Sequence, residues 1–293
     1  MTIEAIVAGV AYELSNTTEF IFQEESDFGM PDVRRLTEAG PLQHGLTDVG
    51  FRMGARKLRL KLACNADNAA TLDAQRAKLL SIFRPRNASL SIRKTLDSGA
   101  RRQIDCHFNG GLSFRTSDRK GMVQVEVIEL LAPDPTFYDP TAVAVPFGLT
   151  GGGGAFNVPL AIPWNVGSSV LDQVKAIEYV GTWKADPIIT IYGPITDAVI
   201  TNETTGMKLD FTGTTIDAGS YYVIDTRYGH KTVREDDGTN RIAALTDDSD
   251  LATFGLEADP DAPGGVNSVR VTGSGVTEAT QVYMSYYTRY VGI

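Results

Sequence analysis

The chain has 293 residues, of which 42% are hydrophobic and 22% charged, a balance that suits folded domains and excludes wholesale disorder. This length exceeds one ordinary domain and is enough for two, each able to bury its own core. The formal net charge of −9 falls entirely in the second half: residues 1–140 hold 18 basic and 18 acidic side chains, and residues 141–293 hold 9 and 18.

The amino-terminal run MTIEAIVAGVAYELSN carries acidic residues where a signal peptide has a basic region. No run of about 18 apolar residues occurs anywhere, so neither secretion nor membrane insertion is expected. The apolar stretch Ala5 to Ala11 reads as a strand, followed by short strands at Tyr12–Leu14 and Glu19–Phe22. Lys57, Arg59 and Lys61 alternate with Leu58, Leu60 and Leu62, the period of a half-buried strand with leucines inward and cations outward.

NADNAATLDAQRAKLLSIFRP then predicts a helix over residues 68–83. Asp67 or Asn68 caps it, Leu72, Leu79, Ile82 and Phe83 recur at helical spacing, and Pro85 ends it. Ser89–Lys94 and Arg101–Phe108 flank a turn at residues 96–99 and predict a hairpin. Leu112–Thr116 and Met122–Leu131 predict a second one. The segment APDPTFYDP, with three prolines, resists regular pairing and closes the first domain near residue 140.

Gly151 to Gly154 follow as a connector or a long hairpin tip. Beyond them the chain is nearly all strand and turn, in segments such as PIITIYG, AVITNETTGMKLDFTG, SYYVIDTRYGHKTVRE and QVYMSYYTRYVG. Short strands separated by Gly, Asn and Asp turns predict a sandwich of two antiparallel sheets over residues 141–293, with one helical turn at Asp248–Phe254.

No constellation for chemistry emerges. Cys64 and Cys106 stand outside any CxxC or zinc spacing and read as reduced core thiols, with a disulfide between them left open. In Asp105-Cys106-His107, alternation puts the cysteine on the face opposite its neighbours, which opposes a Cys-His nucleophilic pair. The acidic loops at Glu235–Asp237, Asp247–Asp250 and Asp259–Asp261 are rich enough in oxygen for calcium but lack EF-hand spacing, so solvated turns are expected. There is no GxSxG elbow or GxxxxGK[ST] loop. No enzyme activity, cofactor or metal is predicted.

Two surfaces invite partners instead. Residues 52–120 contain 16 basic and five acidic side chains, a block that suits a polyanion or the acidic surface of a sibling subunit. Arg52, Arg56, Lys57, Arg59, Lys61, Arg93, Lys94, Arg101 and Arg102 are its candidate interface residues. Tyr221, Tyr222, Tyr283, Tyr286, Tyr287 and Tyr290 divide between core packing and an interface.

The run GLTDVGFRMGARKLRLKLACNADNAATLDAQRAKLLSIFRPRNASLSI resembles the amino-terminal domain of siphophage distal tail proteins. The similarity continues through RRQIDCHFNGGL and VQVEVIELLAPDPTFYD and into PIITIYGPITDAVITNETTGMKLDFTGTTIDAGSYYVIDTRYGHKTVREDDGTN, so it spans nearly the whole chain. The resemblance implies a mainly β protein: an N-terminal β-sandwich with one α-helix and a β-hairpin (1–140), and a C-terminal galectin-like β-sandwich (141–293). It implies a structural virion protein, made in the host cytoplasm, forming a hexameric ring at the distal end of a long non-contractile tail. Its partners would be its own copies, the tail tube protein, the tail-tip hub and the tape measure protein, with DNA passing through the channel without specific binding. An alternative role is a host-glycan-binding module of the tail tip, with Trp164 and Trp183 as candidate contacts, although neither lies in a galectin sugar-binding signature.

Overall fold

The computed structural model describes residues 2–15, 17–148 and 169–293, and the chain divides into two units, Met1–Pro140 with Tyr290–Ile293, and Thr141–Arg289. Two strands carry the chain from one unit into the other and back: β11 (Phe137–Gly148) and β20 (Gln281–Tyr290).

The first unit opens with a hairpin of β1 (Thr2–Val7) and β2 (Val10–Glu13). The single strand expected across Ala5–Ala11 is thus two strands. Ala8 and Gly9 both take positive φ, 50° and 80°, which turns the chain tightly between Val7 and Val10. Next come β3 (Phe20–Ser26), β4 (Val33–Glu38), β5 (Thr47–Met53) and β6 (Arg56–Asn65). Strand β6 keeps the expected alternation: Leu58, Leu60 and Leu62 are fully buried, Lys57 and Arg59 exposed.

Helix α1 (Ala69–Phe83) starts where Asn68 accepts a hydrogen bond from the Thr71 amide at 2.9 Å. Leu72, Gln75, Leu79, Ile82 and Phe83 form its buried stripe. At its other end Arg86 donates to the carbonyls of Ser81 and Ile82, both at 3.0 Å, satisfying acceptors that the last turn leaves open.

Strands β7 (Leu90–Thr95) and β8 (Arg101–Gly111) form the predicted hairpin, in register from Leu90 opposite Cys106 to Thr95 opposite Arg101. The second hairpin is not as expected. Leu112–Arg115 is no strand: Leu112 and Phe114 have φ of 50° and 46°, and only the short β9 (Arg119–Lys120) pairs back onto β10 (Val123–Ala132). Strand β10 instead runs its whole length beside β6 and meets the end of β8 across a bulge. β8 therefore serves two layers, its first half beside β7 and β11 and its last residues beside β10. Gly111 makes that bend possible, since a Cβ there would lie 1.9 Å from the Val127 carbonyl oxygen. The proline-rich APDPTFYDP also pairs further than predicted, with β11 beginning at Phe137.

The second unit is two antiparallel sheets around one core. One has the order β18 (Thr232–Glu235), β17 (Tyr221–Asp225), β13 (Ile188–Tyr192), β20, β11. The other runs β12 (Ser169–Glu178), β19 (Val266–Val276), β14 (Ile195–Asn202), β15 (Met207–Asp210), with β16 (Thr215–Ile216) beside β14. Ile189, Ile191, Ile224 and Met284 from the first pack with Ile200, Leu209, Val269 and Val271 from the second. Asn202, fully buried, ties loops to this core through Gly255 and Asn267. Mainly β architecture with a single helix among the described residues agrees with the sequence expectation.

Candidate assembly surface

Among the described residues, one element of the first unit joins no larger sheet. Strands β4 and β5 pair only with each other, from Val33 opposite Met53 to Glu38 opposite Thr47. The arm they form exposes Met30, Val33, Leu42, Leu46, Val49 and Phe51, with Leu42 96% exposed at its tip. The tip is nevertheless ordered: Gln43 accepts from the Gly40 amide at 3.1 Å and donates to Thr47 at 2.7 Å. Arg34 stands directly opposite Arg52, and neither joins an ion pair among the described residues. Like charges face to face cost stability unless an anion approaches them. Nearby, Arg35 meets Asp48 at 3.0 Å and lies 5.7 Å from the Phe51 ring.

The arm is anchored at its root. Arg56, only 2% exposed, donates to the carbonyls of Asp27 (2.7 Å), Gly29 (2.6 Å), Pro135 (2.7 Å) and Val291 (2.5 Å). Its guanidinium also lies 4.8 Å from the Phe137 ring, which stacks on Phe28 at 5.5 Å. Burial lowers the Arg56 pKa from its ordinary value, and nearby Asp27 opposes that shift. The Gly54 amide closes the arm onto Asp32 at 2.9 Å, and the Ile293 amide donates to Phe28 at 2.9 Å.

This geometry divides the basic residues singled out in the sequence. Arg56 and Lys94 are corrections to the candidate interface: both point inward. Lys94 is 8% exposed, hydrogen-bonded to Glu25 and 5.3 Å from the Phe28 ring. Arg59 pairs with Glu129 (3.0 Å), Lys61 with Glu24 (3.9 Å) and Arg93 with Glu4 (3.7 Å). Arg102 stacks on Tyr290 at 3.5 Å. Arg52, Lys57 and Arg101 remain exposed and outside any ion pair among the described residues. The local excess of cations is therefore met in part, by Glu4, Glu19, Glu24, Glu25 and Glu129 from outside the block. The arm, with its unpaired arginines and apolar side chains, carries the strongest demand for a partner.

Beside β10 lies a half-open groove of about 930 Å³ lined by Lys61, Arg115, Lys120, Glu126, Glu129 and three valines. Mixed charge and an open mouth suit side chains of another chain better than a small molecule. Among the described residues no three His, Cys, Asp or Glu side chains gather as metal ligands. Cys64 and Cys106 are free and buried, and burial pushes their thiols up to about 11 and about 12. They are core residues without nucleophilic character. Trp164 lies outside the described residues. Trp183 is half-buried, its amide donating to the Arg289 carbonyl and its own carbonyl accepting from the Tyr179 hydroxyl.

Comparison with known proteins supplies the class. Residues 8–128 match the family of the phage tail protein RIFT-related domain, which covers most of the first unit, arm included. No curated relative matches the sequence. Among solved structures, the fold is similar to the Dit protein of phage SPP1, with a TM-score of 0.64, 12% identity, and 98% of each chain covered. Chains of the phage P2 baseplate also match, in its activated conformation with Ca (TM-score 0.48, 11% identity, 100% and 99% covered) and with Sr (0.46, 10%, 97% and 97%). Residues 8–128 are thus similar to a phage tail protein domain. More particularly, that domain match lies within a whole-chain fold similar to that of the SPP1 Dit protein.

Proposed function

We propose that the protein forms a hexameric ring at the distal end of a long non-contractile tail, joining the tail tube to the tail-tip hub around a channel for DNA. The observation that carries this reading is the arm. An ordered hairpin exposing six large apolar side chains and two opposed arginines is costly in water and becomes favourable when it lies on another subunit. Closed rings repeat one heterologous contact, so each copy needs an arm and a surface to receive it. The groove beside β10 and the acidic side chains of the second unit offer complementary surfaces. The likeness to SPP1 Dit, described as a hub of the adsorption apparatus in phages infecting Gram-positive hosts, supports a place between tube and tip.

In this reading the tube protein, the hub and the tape measure protein are the ring's partners. DNA passes without specific binding, a reading supported by the carboxylate partners that Arg59, Lys61, Arg93 and Lys94 of the basic block already have within the subunit. Mass photometry tests the role of the arm. The wild type should show a species near about 190 kDa, six times the 31.6 kDa chain, and the double substitution Leu42→Asp, Leu46→Asp should leave only the single chain. A variant with the mass distribution of the wild type would refute the assignment of the arm to the ring contact.

A further inference from the structure

The second unit presents a flat face whose chemistry differs from the arm's. On β17, β13 and β20 the side chains alternating away from the core form rows: Tyr221, Tyr192 and Gln281, then Val223, Thr190 and Tyr283, then Asp225, Ile188 and Ser285. Their neighbours Tyr222, Ile191 and Tyr286 turn into the core. The Tyr192 ring lies 5.2 Å from Tyr221 and 6.0 Å from Tyr283, the latter at 90°. The Tyr283 hydroxyl donates to Gln281. The three rings brace one another, yet Tyr192 and Tyr283 remain 39% and 38% exposed. Four residues along β20, about 13 Å by strand rise, Tyr287 is equally open.

The ligand class follows from what this face has and lacks. Its exposed large apolar side chains are all tyrosines, rings that offer a flat apolar face and a polar edge, with no open Leu, Ile, Met or Phe beside them. Around the rings stand neutral hydrogen-bonding groups from Thr190, Ser285 and Gln281. Of the bordering charges, Asp225 takes Arg227 in a fork at 2.7 and 3.0 Å, and exposed Arg234, opposite Val223, donates to the Gly238 carbonyl at 3.3 Å and stands as a hydrogen-bond donor at the edge of the face. The unit around the face holds 9 basic and 18 acidic residues, which repels polyanions at range. An uncharged sugar presents a C–H face to lie on an aromatic ring and hydroxyl edges for neutral polar groups, matching each of these features.

The geometry points to this face, through Tyr192, Tyr283 and Tyr287, as a binding platform for a neutral saccharide. It is separate from the arm, and its failure would leave the ring reading untouched. The test titrates the full-length protein with neutral oligosaccharides of glucose, galactose and N-acetylglucosamine, and with poly(glycerol phosphate) as the anionic probe, by calorimetry and saturation-transfer NMR. At least one neutral oligosaccharide binds. Tyr192→Ala and Tyr283→Ala each weaken it about five- to tenfold, while Tyr228→Ala, at an 81% exposed position outside the face, does not. Thr190→Glu, which places a charge between the rings without touching the core, weakens it as well and carries the test should an alanine variant misfold. The proposal is overturned if no neutral sugar binds at millimolar concentration, if only the phosphate polymer binds, if binding survives Thr190→Glu, or if a second copy of the chain covers the face in solution.

Discussion

Replacing Arg56 with alanine probes the least obvious support of the arm. The wild-type guanidinium donates to four backbone carbonyls that belong to the arm's root, the start of β11 and the carboxy-terminal residues. A hydrogen bond to a charged group contributes roughly 1.5–3 kcal/mol, but four on one side chain do not add, and the wild type already bears the cost of burying the charge. Losing the donor while four acceptors stay behind should cost about 3–5 kcal/mol, a large share of an ordinary domain's stability of about 5–15 kcal/mol. Arg56→Lys keeps the charge, yet its single ammonium cannot span all four carbonyls, so it should recover only part of the loss. Urea denaturation supplies the magnitude. Hydrogen exchange supplies the location, because the Ile293 and Gly54 amides should lose protection first. A cost below about 1 kcal/mol, or full rescue by lysine, would refute the view that a planar multi-donor clasp holds these segments.

Gly111→Ala should destabilise by roughly 3 kcal/mol, because the added Cβ meets the Val127 carbonyl in a backbone with φ of +92°. Gly99→Ala, with φ of +83° but open space, should cost only about 1 kcal/mol, and equal losses in thermal denaturation would contradict the close-approach argument. The buried thiols predict an alkaline limit. Their pKa values are raised in the fold, so the stability they contribute is full below the ordinary thiol value of 9.0 and is lost as pH rises towards about 11 for Cys64 and about 12 for Cys106. Native protein at pH 8 should resist iodoacetamide and react fully in urea; labelling of the native state at the denatured rate would show that the thiols are not buried.

What could be read from the sequence depended on whether a residue's partners were local. The β6 alternation and the stripe and stop of α1 are short-range patterns, and they appear as expected. The tyrosines obey the same rule, with Tyr222 and Tyr286 inside and Tyr221, Tyr283 and Tyr287 outside, although only the pairing of β13 with both neighbours shows that the outward ones share a face. The arm was not legible because β4 and β5 bury no face, so VRRLTE and TDVGFRM carry no alternation to detect. Arg56 and Arg59, three residues apart in one strand, fall on opposite faces by its alternation, Arg56 with Leu58 and Leu60, but the sequence does not show what could satisfy an inward guanidinium. Carbonyls from residues 27, 29, 135 and 291, distant in sequence, converge on the inward one, and Glu129 of the neighbouring strand meets the outward one. The basic block overstated the free charge for the same reason: Glu4, Glu19, Glu24, Glu25 and Glu129 lie outside it in sequence and beside it in space.

Electron cryomicroscopy of the purified full-length protein at micromolar concentration tests the ring most directly. The account predicts six-fold rings with an open centre, each arm lying on the next copy with Leu42 and Leu46 covered. Single chains only, or rings whose arms extend into solvent, would contradict it.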